Sequence, residues 1–236
     1  MKFEKVYNVR PVQVDGMHDQ LIRSGRLMFA TENDVNRLKN EIRTIVDFRG
    51  PRERKEFPNP EGLNSVCLDP MADAAALASG AKNLDALDRD LSRVMKTQYY
   101  DFVHNKAAQK AYKAFLEILT DKENFPVLFH CTAGKDRTGY ATALVLSLMG
   151  ADRKTIMEDY LLTNDEEADP QLMKEFNAMS DQTKKDVYPL ITALEEYMTI
   201  SLNEIEKLGG IRRYCLDVLG LSEVQLEQIQ QNLLKK

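Results

Sequence analysis

The sequence predicts an α/β domain in which a mainly parallel central sheet is flanked by helices, with a helical insertion ahead of its most distinctive loop. Three observations carry this. Apolar strand-like runs alternate with helix-like stretches up to His130. Beyond Met149 the chain has helical spacing almost throughout. Between the two, His130 to Gly139 reads as a turn of small residues leading from a buried strand into a helix. At 236 residues, one domain covering 1–236 is expected, large enough to bury a sizeable core.

Each element has its own local reason. Thr31-Glu32-Asn33-Asp34 is a capping box that opens a short helix with Val35, Leu38 and Ile42 on one face. Arg43 to Phe48 reads as a buried strand stopped by Gly50-Pro51. A second strand is expected at Ser65 to Leu68, ended by Asp69-Pro70, because proline cannot donate to the ladder. Met71 to Asp90 is rich in Ala and Asp, weakly amphipathic and interrupted at Ser79-Gly80. Tyr99 to Leu119 spaces Phe102, Ala108, Tyr112, Phe115 and Leu119 for packing as one helix. Val127 to His130 is the third strand. Helices are then expected near Arg137–Met149, Arg153–Thr163, Pro170–Asn177, Tyr188–Lys207, Gly210–Leu219 and Glu223–Leu234.

Composition narrows the function classes. A net charge of −5 argues against a general nucleic-acid binder, so any anion must be captured by local geometry. Three cysteines make no disulfide framework. Cys67 and Cys215, each between apolar neighbours, are expected to be buried and inert. No Cys/His cluster has metal-ligand spacing, and no cofactor is called for. Neither a signal-like start nor a membrane-spanning run is present, so no stable membrane insertion is expected. A free functional thiol favours the cytoplasm, with secretion left open if a leader was removed. The sequence fixes no oligomeric state.

The loop carries the chemistry. Cys131 stands five residues before Arg137, directly after Val127-Leu128-Phe129. Backbone N–H groups of such a turn, with the following helix N-terminus, form an anion site. Arg137 supplies a planar fork for two phosphate oxygens. That positive field favours the thiolate of Cys131. Nucleophile, cradle and clamp therefore occupy seven consecutive residues. A nucleotide-binding P-loop fails as a competitor, since Asp136 occupies its Ser/Thr position and Phe129 its first glycine.

The string His130-Cys131-Thr132-Ala133-Gly134-Lys135-Asp136-Arg137-Thr138-Gly139 resembles the signature of cysteine-dependent protein tyrosine phosphatases, in particular the bacterial atypical tyrosine/serine and phosphoinositide branch. Ile22 to Leu27, Asp47-Phe48-Arg49 with Glu53, Tyr160 to Asn164 and Leu219 to Ser222 are similar to further segments of that branch. The resemblance implies the protein tyrosine phosphatase-like α/β fold. It also implies hydrolysis of phosphomonoesters through a cysteinyl-phosphate, with a phosphorylated protein or a phosphoinositide as substrate. Thr132, Ala133, Gly134 and Lys135 fall in the substrate cradle, where Gly134 suits a positive φ or a close approach. Lys135 is similar to the extra charge that meets inositol phosphates in lipid phosphatases. Thr138 is a donor for the thiolate, and His130 orients the loop. Asp47 is read as ordering the loop from the neighbouring strand, and Arg49 as an ion pair or a rim contact for substrate anions. The loop acid of the branch corresponds to Asp136, with Asp69 and Asp73 as alternatives of the kind that sits on a separate loop. Residues 71–97 are either a connector or a lid. The competing function is a catalytically silent phosphate or phosphoinositide reader built on the same cradle.

Overall fold

The strand that delivers Cys131 is buried on both faces, and this sets the layers. In the computed structural model, which describes residues 3–63, 65–72, 91–165 and 170–235, the chain enters through β1 (Arg10–Pro11) and β2 (Leu21–Ser24). Helix α1 (Glu32–Glu41) leads to β3 (Thr44–Asp47), and α2 (Pro51–Glu56) to β4 (Ser65–Cys67). Helices α3 (Leu91–His104) and α4 (Lys106–Ile118) precede β5 (Val127–His130). The remainder is helical: α5 (Asp136–Leu148), α6 (Arg153–Leu161), α7 (Pro170–Asn177), α8 (Asp181–Ile191) and α9 (Glu195–Lys207). A short helix, Ile211–Arg213, runs into a π-helical turn at Tyr214–Val218, and α10 (Glu223–Leu233) closes the chain.

The sheet order is β1-β2-β5-β3-β4, with β1 antiparallel and the other pairings parallel. Alternation puts Val127 and Phe129 of β5 into the larger core, with Leu21 and Val46. Leu128 points the other way, with Ile22 and Ile45, into a smaller core beneath Leu38 and Ile42. Parallel register aligns Ser24, His130, Asp47 and Cys67 at one edge of the sheet. The loops that follow these four residues converge there, where open α/β sheets hold their ligands. Helix α5 begins at that edge and is buried on nearly every side, from Thr138 to Leu148. No helix among the described residues is long and apolar enough to cross a membrane.

Several expectations change. Strand β2 is absent from the periodic pattern because it is buried throughout, with Arg23 in its middle. The stretch Tyr99 to Leu119 is two helices, not one: Asn105 stops the first and caps the second by accepting from Ala107 and Ala108 N–H groups. Tyr188 to Lys207 is likewise divided, with α8 ending at Ile191 and α9 starting at Glu195. Between them the Ala193 backbone is bonded in both directions to the Asn164 side chain, at 2.8 and 2.9 Å. Gly50-Pro51 does end a strand, but it also starts α2: proline sits at the first helical position and Glu53 reaches back to the Gly50 N–H at 2.9 Å. Cys67 is exposed on the edge strand, contrary to expectation, while Cys215 is buried and burial pushes its thiol up to about 12. Of the segment 71–97, residues 73–90, Asp73 included, lie outside the described residues, and 91–97 form the first turns of α3.

Candidate active site

The loop 131–135 is held from outside through its carbonyl oxygens. His130 Nδ1 donates to the Cys131 carbonyl at 3.0 Å, which fixes the tautomer with hydrogen on Nδ1. The Arg26 N–H donates to Thr132 O at 2.9 Å, Asn8 Nδ2 to Ala133 O at 2.9 Å and Arg23 Nη2 to Gly134 O at 2.7 Å. The Gly139 N–H then takes Lys135 O at 2.7 Å. In a planar trans peptide the carbonyl and the next N–H point in opposite directions. Five outward carbonyls therefore turn the N–H groups of Thr132 to Asp136 inward. None of these N–H groups has a protein acceptor among the described residues. The result is a concave array of donors at a helix N-terminus, built to receive an anion.

Gly134 allows the loop to close. Its φ is +69°, and a Cβ there would lie 2.6 Å from Ser24 O and 2.8 Å from the Gly25 nitrogen. The loop thus rests directly on the end of β2.

Arg137 is aimed by Glu53. Nη1 and Nη2 donate to the two carboxylate oxygens at 2.6 and 2.8 Å, and Thr132 Oγ1 donates to the same carboxylate. Burial alone would raise the Glu53 carboxyl, but the Arg137 bonds and charge outweigh it and hold the group at about 2. Burial works against the Arg137 charge too, yet Glu53, Cys131 and Asp136 raise the guanidinium further above its usual value. Phe48 O accepts a further N–H of Nη1 at 3.3 Å and Thr132 Oγ1 lies 3.5 Å from Nη2, so Nε–H and that second Nη2 N–H make the side of the fork offered to two oxygens of a phosphate.

Cys131 is 2 % exposed at the floor of this cradle. Asp136, at the first turn of α5, accepts from the Tyr99 hydroxyl at 2.8 Å and lies 3.5 Å from Lys135 Nζ. The Lys135 ammonium is almost fully buried and donates to the Leu190 and Thr192 carbonyls at 2.5 and 3.2 Å. It therefore ties the loop to the end of α8 instead of pointing into the cradle. Thr138 Oγ1 is buried with no partner among the described residues, and the expected bond to Cys131 is not formed.

Arg49 is a buried ion pair and not a rim contact. Its guanidinium and backbone N–H reach Asp47 at 2.8–3.2 Å, and it also holds Phe57 O and Asn59. Asp47 is kept ionised below its ordinary range, because Arg49 and His130 overcome its burial. His130 is pushed down by burial, which Asp47 only partly offsets. Asp69 caps its own turn by accepting from the Met71 N–H at 2.9 Å. It stands beside the Gly50 turn, with Oδ2 3.1 Å from the position a Gly50 Cβ would take.

Composition and periodicity do not single out Asn8, Arg23, Arg26, Glu53 and Tyr99 as site residues. The signals available were the segments around Ile22 to Leu27 and Glu53; for Asn8 and Tyr99 the sequence offers none.

The model of the tyrosine phosphatase family matches residues 2–235. The chain is similar to the triple specificity protein phosphatase PtpB of Mycobacterium tuberculosis, 42% identical over an alignment of 192 residues, with 68% of each protein covered. It is also similar to a provisionally named tyrosine-protein phosphatase of Cupriavidus necator, 28% identical over 224 residues, 88% of this chain and 77% of the relative. Among solved structures it has a remote likeness to the core catalytic domain of the S. cerevisiae PP-IP phosphatase SIW14, with 16% identity, 76% of this chain and 92% of that one covered, and a TM-score of 0.35.

Proposed function

This chain belongs to the tyrosine phosphatase family, and on that premise we propose that Cys131, Arg137 and Asp136 carry its hydrolysis of phosphomonoesters. The Cys131 sulfur attacks phosphorus in line while the inward amides and Arg137 hold the equatorial oxygens. The S–P bond forms as the P–O bond to the leaving group breaks. Asp136 gives its proton to the leaving oxygen. Water then attacks the cysteinyl-phosphate, Asp136 takes a proton from it, and the S–P bond breaks to release inorganic phosphate. Asp136 is preferred to Asp69 because it stands in the loop itself, next to Arg137, whereas Asp69 stands beside the Gly50 turn.

The single observation that carries this reading is the set of outward-pinned carbonyls around a buried cysteine, with Arg137 oriented by Glu53. A silent phosphate reader is set aside, since the family is one of phosphatases and the nucleophile and arginine are both present. We take phosphotyrosine as the main substrate. Phosphoserine/threonine or phosphoinositides are further substrates, in keeping with a relative named for triple specificity.

A vanadate-sensitive aryl-phosphatase assay on wild type and Cys131→Ser tests the chemistry. Activity is expected in the first and none in the second, and equal turnover by both would refute it. A panel of phosphotyrosine peptides, phosphoserine peptides and phosphoinositides then ranks the substrates.

A further inference from the structure

The Asp136 carboxylate is gripped from behind by a pair of buried tyrosines. Tyr99 on α3 has no solvent exposure, and its hydroxyl donates to Asp136 Oδ1 at 2.8 Å. Because that donation uses its one proton, Tyr99 can only accept from the Tyr160 hydroxyl, also 2.8 Å away. The Tyr99 ring is packed against Phe102, Tyr160 and Tyr197, and its carbonyl accepts from Ser201 Oγ at 2.6 Å. The donor is thus fixed in place by three helices. Burial and the neighbouring Asp136 push the Tyr99 phenol well above its ordinary range, so it stays a donor at any assay pH.

We propose that Tyr99, backed by Tyr160, is a positioning residue for Asp136: it occupies Oδ1, fixes the rotamer and leaves Oδ2 to hand the proton to the leaving group. This rests on Asp136 as the acid. The physical gain is differential. Protonated Asp136 gains little from a donor on Oδ1, but as the proton leaves Oδ2 the carboxylate charge grows and the bond from Tyr99 strengthens. Lys135, 3.5 Å away, adds to the same stabilisation. Donation by Tyr160 polarises the Tyr99 hydroxyl and makes it the better donor. When water later attacks the cysteinyl-phosphate, the same grip keeps Oδ2 placed to receive its proton.

The test compares p-nitrophenyl phosphate, whose leaving group needs little protonation, with phenyl phosphate, which needs much. Tyr99→Phe should lower kcat on phenyl phosphate by about ten- to a hundredfold and on p-nitrophenyl phosphate by less than about threefold, as loss of a hydrogen bond to a charged group implies. In an Asp136→Asn background the same change should add nothing. Equal slowing of both substrates, or a further loss on top of Asp136→Asn, would mean that Tyr99 only supports the fold, and would overturn the proposal. If Tyr99→Phe does not fold, Tyr160→Phe takes its place, with a severalfold loss confined to phenyl phosphate expected and a uniform loss overturning. Should Asp136→Asn itself lack the leaving-group pattern, the acid is elsewhere and the proposal falls with that assignment. An intact Asp136 signature with no Tyr99 effect rejects the proposal alone.

Discussion

Arg23 Nη2 donates to the Gly134 carbonyl at 2.7 Å from a position with no solvent exposure, while Nη1 of the same guanidinium holds Asp159 on α6. A fully buried arginine is costly unless paired and bonded. Here it joins β2 and α6 to the one peptide of the loop whose glycine has positive φ. By holding that carbonyl outward it turns the Lys135 N–H into the cradle.

Arg23→Met keeps the volume and removes the donor. It is expected to lower kcat/KM on an aryl phosphate by about ten- to a hundredfold, with vanadate inhibition weakened in parallel, because one cradle amide loses its orientation. Of the loop carbonyls Asn8→Ala releases that of Ala133, together with the Asn8 contacts to Thr163 and Arg10 outside the loop, and it should cost less. Steady-state kinetics with inhibition constants check both; an Arg23→Met enzyme within twofold of wild type would remove the carbonyl anchors from the mechanism.

Glu53 is held at about 2 in the folded protein against an ordinary 4.5. A carboxylate depressed by folding contributes stability that is present above its unfolded value and is lost as pH falls toward the folded one. Wild type should therefore lose stability between about pH 4.5 and 2, and part of that loss should be missing in Glu53→Gln. Thermal unfolding of both proteins across this range measures it. The variant should also bind phosphate more weakly, since Arg137 loses the carboxylate that aims it.

Lys135 donates to two carbonyls at the end of α8. Lys135→Met should speed amide hydrogen exchange across residues 181–194, as the helix end loses its cation and its donors, while aryl-phosphate turnover changes only severalfold. A selective collapse of phosphoinositide hydrolysis with unchanged exchange would return Lys135 to the role of a substrate contact.

Arg49 and Asp47 are each 1 % exposed and face one another at 2.8 Å. Arg49→Met leaves a buried carboxylate without its partner and should cost about 3–5 kcal/mol of stability. Denaturant unfolding tests this. A variant of native stability with a raised KM would instead place Arg49 on the substrate.

The sequence by itself determined the candidate reacting loop and three of the five strands of the sheet that carries it, β3, β4 and β5. Cys131, Gly134, Asp136 and Arg137 are neighbours along the chain, and a buried strand running through a glycine turn into a helix orders them wherever it occurs. The parallel layering followed in the same way from β3, β4 and β5, whose apolar runs and stop signals are local. Tertiary structure decided everything that grips the loop from outside. Asn8 lies 125 positions from Ala133, Arg23 111 from Gly134, Glu53 84 from Arg137 and Tyr99 37 from Asp136. It also decided that Lys135 turns away from the cradle and that Arg49 is spent on Asp47. The reason is geometric: propensity and periodicity report which face of an element is buried, whereas a hydrogen bond depends on where two separate elements meet. Only the packed sheet edge brings those partners within reach.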